Sequence, residues 1–112
     1  MPHPTHATIE KSSRKHKKFV ATVYNAKGNI LAKVHFGDVR YEDYTMHHDT
    51  QRRNSYLSRA TAITDAKGAP TANNPLKPNF WAVNLLWQEK TLKEAATFID
   101  GMFGIKVTLK IK

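Results

Sequence analysis

The chain has 112 residues, a hydrophobic fraction of 40%, no cysteine and a formal net charge of +9. That length holds one domain with one core and excludes two, while the missing cysteines exclude a disulfide framework and a thiolate metal site. No apolar run approaches the ~20 residues of a bilayer span, and the N-terminal residues lack a signal-peptide apolar segment, so no membrane partner is expected.

Charge is unevenly spread. Residues 1–18 carry Lys11, Arg14, Lys15, Lys17 and Lys18 against Glu10 alone. With Pro2, Pro4, His3, His6, Ser12, Ser13 and His16 nearby, this stretch lacks the apolar residues that offset ordering entropy. Residues 1–17 therefore read as a basic, flexible arm, and residues 18–112 as the folded domain. Clustered Lys and Arg raise affinity for polyanions by releasing counterions; a solvated tail or an arm gripping an acidic protein surface fits the same composition. The histidines of the arm are irregularly spaced and lack carboxylate companions, which does not make a metal site.

Phe19, Ala21 and Val23 alternate with Val20, Thr22 and Tyr24, and Ile30, Ala32, Val34 and Phe36 alternate with Leu31, Lys33 and His35. These period-2 patterns predict strands at 18–24 and 30–36, joined by a turn at residues 25–29 in which Gly28 takes a positive φ. Residues 38–48 predict a structured loop with a short helical turn. Thr45 or Asp49 is placed to cap the next helix, predicted at 50–63, with Tyr56, Leu57, Ala60 and Ile63 on or beside one face and Arg52, Arg53 and Arg59 at its margins. Three prolines and a glycine make residues 64–79 a long loop, of a length that tends to be functional or mobile. Asn79 is placed to cap a short helix at 80–88 with Trp81 and Leu85 inward. Thr91-x-x-Glu94 is a capping box opening a helix at 92–103 that Gly104 stops. Ile105, Val107, Leu109 and Ile111 then alternate with Lys106, Thr108, Lys110 and Lys112, a final strand at 105–111 whose lysines suit a sheet edge.

Three constellations carry chemistry. His47 and Asp49, with His35, His48, Glu42 and Asp43 nearby in sequence, suit a divalent metal by ligand type; equally, His47 and Asp49 can brace the loop by bonding backbone and Arg52. Arg52, Tyr56 and Arg59 fall along one side of a helix, so two guanidinium groups flank a ring. That arrangement grips phosphates while a base stacks, or bridges to Asp49 or Glu42 within the fold. Trp81 and Trp87 serve as core or as a ligand platform. Neither a nucleotide-cradling glycine loop nor a nucleophile–base arrangement can be read from the chain, so no catalytic, cofactor or metal residue is assigned.

Taken together, Val34-His35-Phe36-Gly37, then Asp43-Tyr44-Thr45-x-His47-x-Asp49-x-x-Arg52-x-x-x-Tyr56-x-x-Arg59, then Phe80-Trp81-x-x-x-Leu85-Leu86-Trp87 with Thr91-Leu92 resemble a family of short basic proteins of large double-stranded DNA viruses and some tailed phages. The resemblance spans residues 18–107. It implies association with a virus particle and no particular activity. This chain departs from the pattern with Ala60 where the family has histidine, and with a longer, less charged connection before Phe80-Trp81.

The expected fold is α+β: a small antiparallel sheet, made of the N-terminal hairpin and the C-terminal strand, packed by two to three helices. The expected function is that of a small, non-enzymatic virion component of minor-capsid or cement type, in the particle or the host cytoplasm. On this reading the arm and the 64–79 loop bind neighbouring capsid subunits. The alternatives are a sequence-independent nucleic-acid binder packaged with the genome, and a metal-dependent hydrolase using His47 and Asp49. Lys11, Arg14, Lys15, Lys17, Lys18, Arg52, Arg53 and Arg59 are the expected partner or phosphate contacts. His35, Tyr44, His47, Asp49, Tyr56, Trp81 and Trp87 are the expected structural junction.

Overall fold

A computed structural model describes residues 4–111. The first segment is β1 (Pro4–Lys11), followed by β2 (Lys17–Asn25) and β3 (Ile30–Asp38). After a helical turn α1 (Tyr44–His47) come α2 (Thr50–Ala60), a 3-10 turn at Thr71–Asn73, and α3 (Pro78–Trp81), which widens into a π-helical segment at Ala82–Trp87. Helix α4 (Leu92–Phe103) and strand β4 (Lys106–Leu109) complete the chain. The four strands lie in the order β3-β2-β1-β4.

The expected flexible arm is corrected by this topology. Residues 4–11 form an interior strand, antiparallel to β2 and parallel to β4, with Ile9 opposite both Ala21 and Leu109. Ala7 and Ile9 are fully buried. Counting apolar residues undervalued this stretch, because the strand needs only two inward side chains once its backbone is bonded on both sides. The basic residues are not a loose leader either. Arg14 and Lys15 stand on the β1–β2 turn and Lys11, Lys17 and Lys18 on the strand ends beside it; the turn closes through Ser12 N–H to Lys18 O (3.1 Å) and Lys17 N–H to Arg14 O (3.2 Å). His16 O also accepts from Val39 N–H (3.1 Å). The first residues of the expected arm, 1–3, lie outside the described residues, as does Lys112.

The α+β class is as expected, with β1 as an added strand. The final strand does sit at a sheet edge, but it runs parallel to β1 and makes the sheet mixed. One face of the sheet, carrying Ala7, Ile9, Ala21, Val23, Val34 and Phe36, packs against Phe80, Trp81 and Leu85 of α3 and its π-helical extension and against Ala95 and Ile99 of α4. Thr91 caps α4 by accepting from Glu94 N–H, and the helix stops at Gly104. Gly37, with φ +78°, is where β3 passes closest to the helices: a Cβ there would meet Leu86 Cδ1 at 2.9 Å.

Helix α2 is shorter than expected. It ends at Ala60, where Thr61 Oγ1 donates to Leu57 O (2.6 Å), and Ile63 is left exposed. Asn79 does not cap α3, whose first residue is Pro78. Its amide instead donates to Ala60 O and Thr71 Oγ1, both at 2.9 Å, tying the end of α2 to the loop. Residues 64–79 are bonded to themselves and to the core. Thr64 bridges Pro70, the Asp65 carboxylate accepts from Lys67 N–H and Ala69 N–H, and Pro75 O accepts from the Trp81 indole (2.8 Å).

Candidate functional site

Between the end of β3 with its following loop and the exposed side of α2 lies a cleft of about 810 Å³. Its floor comes from Phe36, Ala82, Leu86 and Trp87, its helical wall from Arg52, Ser55, Tyr56 and Arg59, and its facing wall from Lys17, Asp38, Tyr41 and Glu42. The helical wall is a direct product of spacing, since residues at 52, 55, 56 and 59 share one side of an α-helix. Asp49 starts that helix: its carboxylate accepts from Gln51 N–H (3.0 Å) and Arg52 N–H (3.2 Å).

The aromatic lining is a packed series. Tyr56 stacks on Trp87 with ring centroids 4.1 Å apart and planes 10° from parallel. On its other flank Trp87 meets His47 at 5.1 Å, and His47 meets Tyr44 edge-on at 6.1 Å. Burial pushes the Tyr56 phenol above its usual pKa, an effect that Arg59 opposes, so the ring is a neutral hydrogen-bonding surface at physiological pH. His47 Nδ1 accepts from Asp49 N–H (2.9 Å), while its Nε2 is buried and has no partner among the described residues.

The cations divide into used and unused. Lys18 forms a partly buried ion pair with Asp43 (2.6 Å) and also reaches Met46 Sδ. Arg53 donates to Gln88 O (3.0 Å) and lies over the Tyr44 ring (5.6 Å). Both hold the fold together and are corrected from partner contacts to structural ones. Arg52 and Arg59 are exposed, and among the described residues they make no ion pair. The possible bridges to Asp49 or Glu42 are therefore not formed. Lys17 stands across the cleft from them, and Lys11, Arg14 and Lys15 are exposed on the adjoining turn.

On the facing wall, Arg40 grips Asp38 through Nε (3.0 Å) and Nη2 (2.8 Å). The side-chain bonds to Arg40 hold the Asp38 carboxyl well below the usual carboxylate range. The same turn presents Tyr41, whose N–H donates to Asp38 O (3.2 Å) and whose ring lies 5.9 Å from Arg40 Cζ. Tyr41 is 68% exposed at the cleft mouth. No periodicity marks Tyr41 in the sequence, and its place follows only from the turn.

Of the expected junction residues, Tyr44, His47, Asp49, Tyr56 and Trp87 lie together beside the cleft. Trp81 belongs instead to the sheet core, and His35 lies on the opposite sheet face, between the inward Val34 and Phe36. Ser12 Oγ and His35 Nδ1 are 2.7 Å apart. Burial and then Arg14, Lys17 and Lys33 lower the pKa of His35. Ser12 Oγ also accepts from Arg14 N–H within the turn. Nor does a metal set assemble: among the described residues no three His, Asp or Glu side chains converge. The Asp49 carboxylate and His47 Nδ1 are occupied by backbone amides.

A model of a family of unknown function, DUF5754, matches residues 7–60. The chain is similar to that family from β1 to the end of α2, a span containing Lys17, Tyr41, Arg52, Tyr56 and Arg59 but neither tryptophan. No curated protein and no solved structure matches the chain.

Proposed function

We propose that this protein binds nucleic acid without reading its sequence, through the basic β1–β2 turn and the cleft beside it. The observation that carries the reading is the state of Arg52 and Arg59. They are two turns apart on one side of α2, unclaimed by any carboxylate among the described residues, and set beside the Tyr56–Trp87 stack. Guanidinium groups left in water next to aromatic rings suit phosphate and base together. The turn cations add a fixed positive edge next to the cleft, where counterion release favours a polyanion. Among the described residues no helix is long and apolar enough to cross a membrane, and nothing in the reading calls for one.

Fluorescence anisotropy of labelled oligonucleotides across a salt series tests this. Affinity should fall steeply with salt, each neutralised phosphate contributing a log-log slope of about −0.9 on duplex DNA and about −0.7 on single strands. Affinity that does not change with salt refutes it.

A shell subunit held by a loose leader no longer has that leader, because residues 4–11 are sheet. Within a virus particle, the association that the resemblance implies, the present reading puts the protein on the genome. Crosslinking from Lys11 and Lys15 in purified particles should give nucleotide adducts, and adducts to shell proteins alone would count against it.

A further inference from the structure

We infer that the cleft takes one unpaired nucleotide, its base under Tyr41 and its phosphate on Arg52 and Arg59, so that the protein prefers single strands. The inference rests on the nucleic-acid reading above and names the form of ligand. Four observations carry it. First, a volume of about 810 Å³ suits a small organic group, not a duplex. Second, the walls are polarised. The α2 side offers two unpaired cations, whereas on the Tyr41 side Asp38 and Asp43 are paired with Arg40 and Lys18 and Glu42 is offset by Lys17. A phosphate is therefore drawn toward the net positive α2 side and not toward the balanced wall opposite, which leaves the ring system for Tyr41. Third, Tyr41 is exposed at the cleft mouth on the turn that the Arg40–Asp38 pair closes, and Arg40 Cζ lies 5.9 Å from its ring centroid, so a cation and a ring face stand together there for a base to stack on. Fourth, Ile63 is also exposed at the mouth, extending the apolar lip.

A base within a duplex is stacked on both faces and must be extruded before it can enter such a cleft. A single strand presents its bases at no such cost. Sequence tolerance follows, because every base has a ring face.

The molecule contains its own reporter. Trp81 is fully buried in the core, while Trp87 lines the cleft. The full chain is titrated at fixed ionic strength with oligothymidylate, a duplex of the same length, inorganic polyphosphate and thymidine 5′-monophosphate. Oligothymidylate should bind roughly ten-fold tighter than the duplex, within the range that one stacked base supplies, and should quench tryptophan emission. Trp87→Phe should remove the quenching while anisotropy still reports binding. Tyr41→Ala should reduce oligothymidylate affinity to that of the duplex and leave duplex and polyphosphate binding unchanged. If all the polymers bind alike and Tyr41→Ala alters nothing, the cleft inference is overturned while the nucleic-acid reading survives. Tighter binding of the monophosphate than of the oligonucleotide overturns the assignment to a strand. Absence of binding to every polyanion at low salt overturns both readings.

Discussion

Trp81 and Trp87 stand six residues apart on one continuous helical segment, yet they serve different halves of the molecule. Trp81 is fully buried against Phe36 and Phe80, and its indole N–H is bonded to Pro75 O. Trp87 is half-buried between His47 and Tyr56 and borders the cleft. Between them the helix widens into its π-helical stretch, where the Asn84 side chain donates to Ala72 O and Phe80 O, both at 3.0 Å. Six residues of helix set the two side chains well apart around the axis (about 120° at 3.6 residues per turn), and one tryptophan faces the sheet while the other faces α2. The same residue type thus holds the fold in one place and shapes a surface in the other, according to what packs against its second face.

The largest effect should come from the core half. Trp81→Ala should cost about 3–5 kcal/mol and leave the domain marginal, since it empties the largest buried volume and frees Pro75 O; urea denaturation checks this. Ile9→Ala should cost about 2–5 kcal/mol by the same cavity argument. A flexible leader would tolerate the change freely, so this variant also tests the position of β1. Gly37→Ala should be intermediate, about 1–3 kcal/mol, because the backbone is left-handed there and the new methyl presses on Leu86 and Lys18. Thermal melting separates these cases.

The cleft half should behave in the opposite way. Arg52→Ala combined with Arg59→Ala should leave stability within about 0.5 kcal/mol per site, as for exposed residues without partners. It should nevertheless flatten the salt dependence of duplex binding by about two units of slope. A double variant that melts early would make these arginines part of the fold and blur the contrast between the two halves.

The smallest effect concerns acid. His35 is harder to protonate in the folded chain than in the unfolded one, owing to burial and to Arg14, Lys17 and Lys33. Above its unfolded pKa of ~6.5 both states are neutral and the residue is silent. As pH falls through that value the unfolded chain takes up the proton first, so stability declines. His35→Asn should lessen the loss in denaturant midpoint between neutral and mildly acidic pH. An unchanged loss would show that the ring does not sense its cationic neighbours.

Much of this was legible in the residues themselves. The alternation in β2 and β3, the Thr91 and Gly104 boundaries of α4, and the capping of α2 by Asp49 are local effects, set by backbone geometry within a few residues. The Arg52–Tyr56–Arg59 wall was legible for the same reason. Strand β1 was not, although Ala7 and Ile9 alternate with His6, Thr8 and Glu10, because charge and proline around them dominate any composition count. The division of the cations was also hidden. Lys17 and Lys18 are neighbours in sequence, and only the approach of the α1 loop commits Lys18 to Asp43 and leaves Lys17 at the cleft.

By itself the sequence determined an α+β domain with a basic surface, two patterned strands, a capped amphipathic helix and a ring between two arginines. Those features depend on periods of two and 3.6 residues and on side chains bonding their own backbone. Tertiary structure alone decided that β1 lies inside the sheet, that β4 joins it in parallel, that Trp81 packs in the core while Trp87 borders the cleft, and that Tyr41 lines the same cleft as Arg52 and Arg59. Each of these depends on contacts between segments far apart in the chain, where burial and pairing are set by the partner surface and not by the residue's own neighbours.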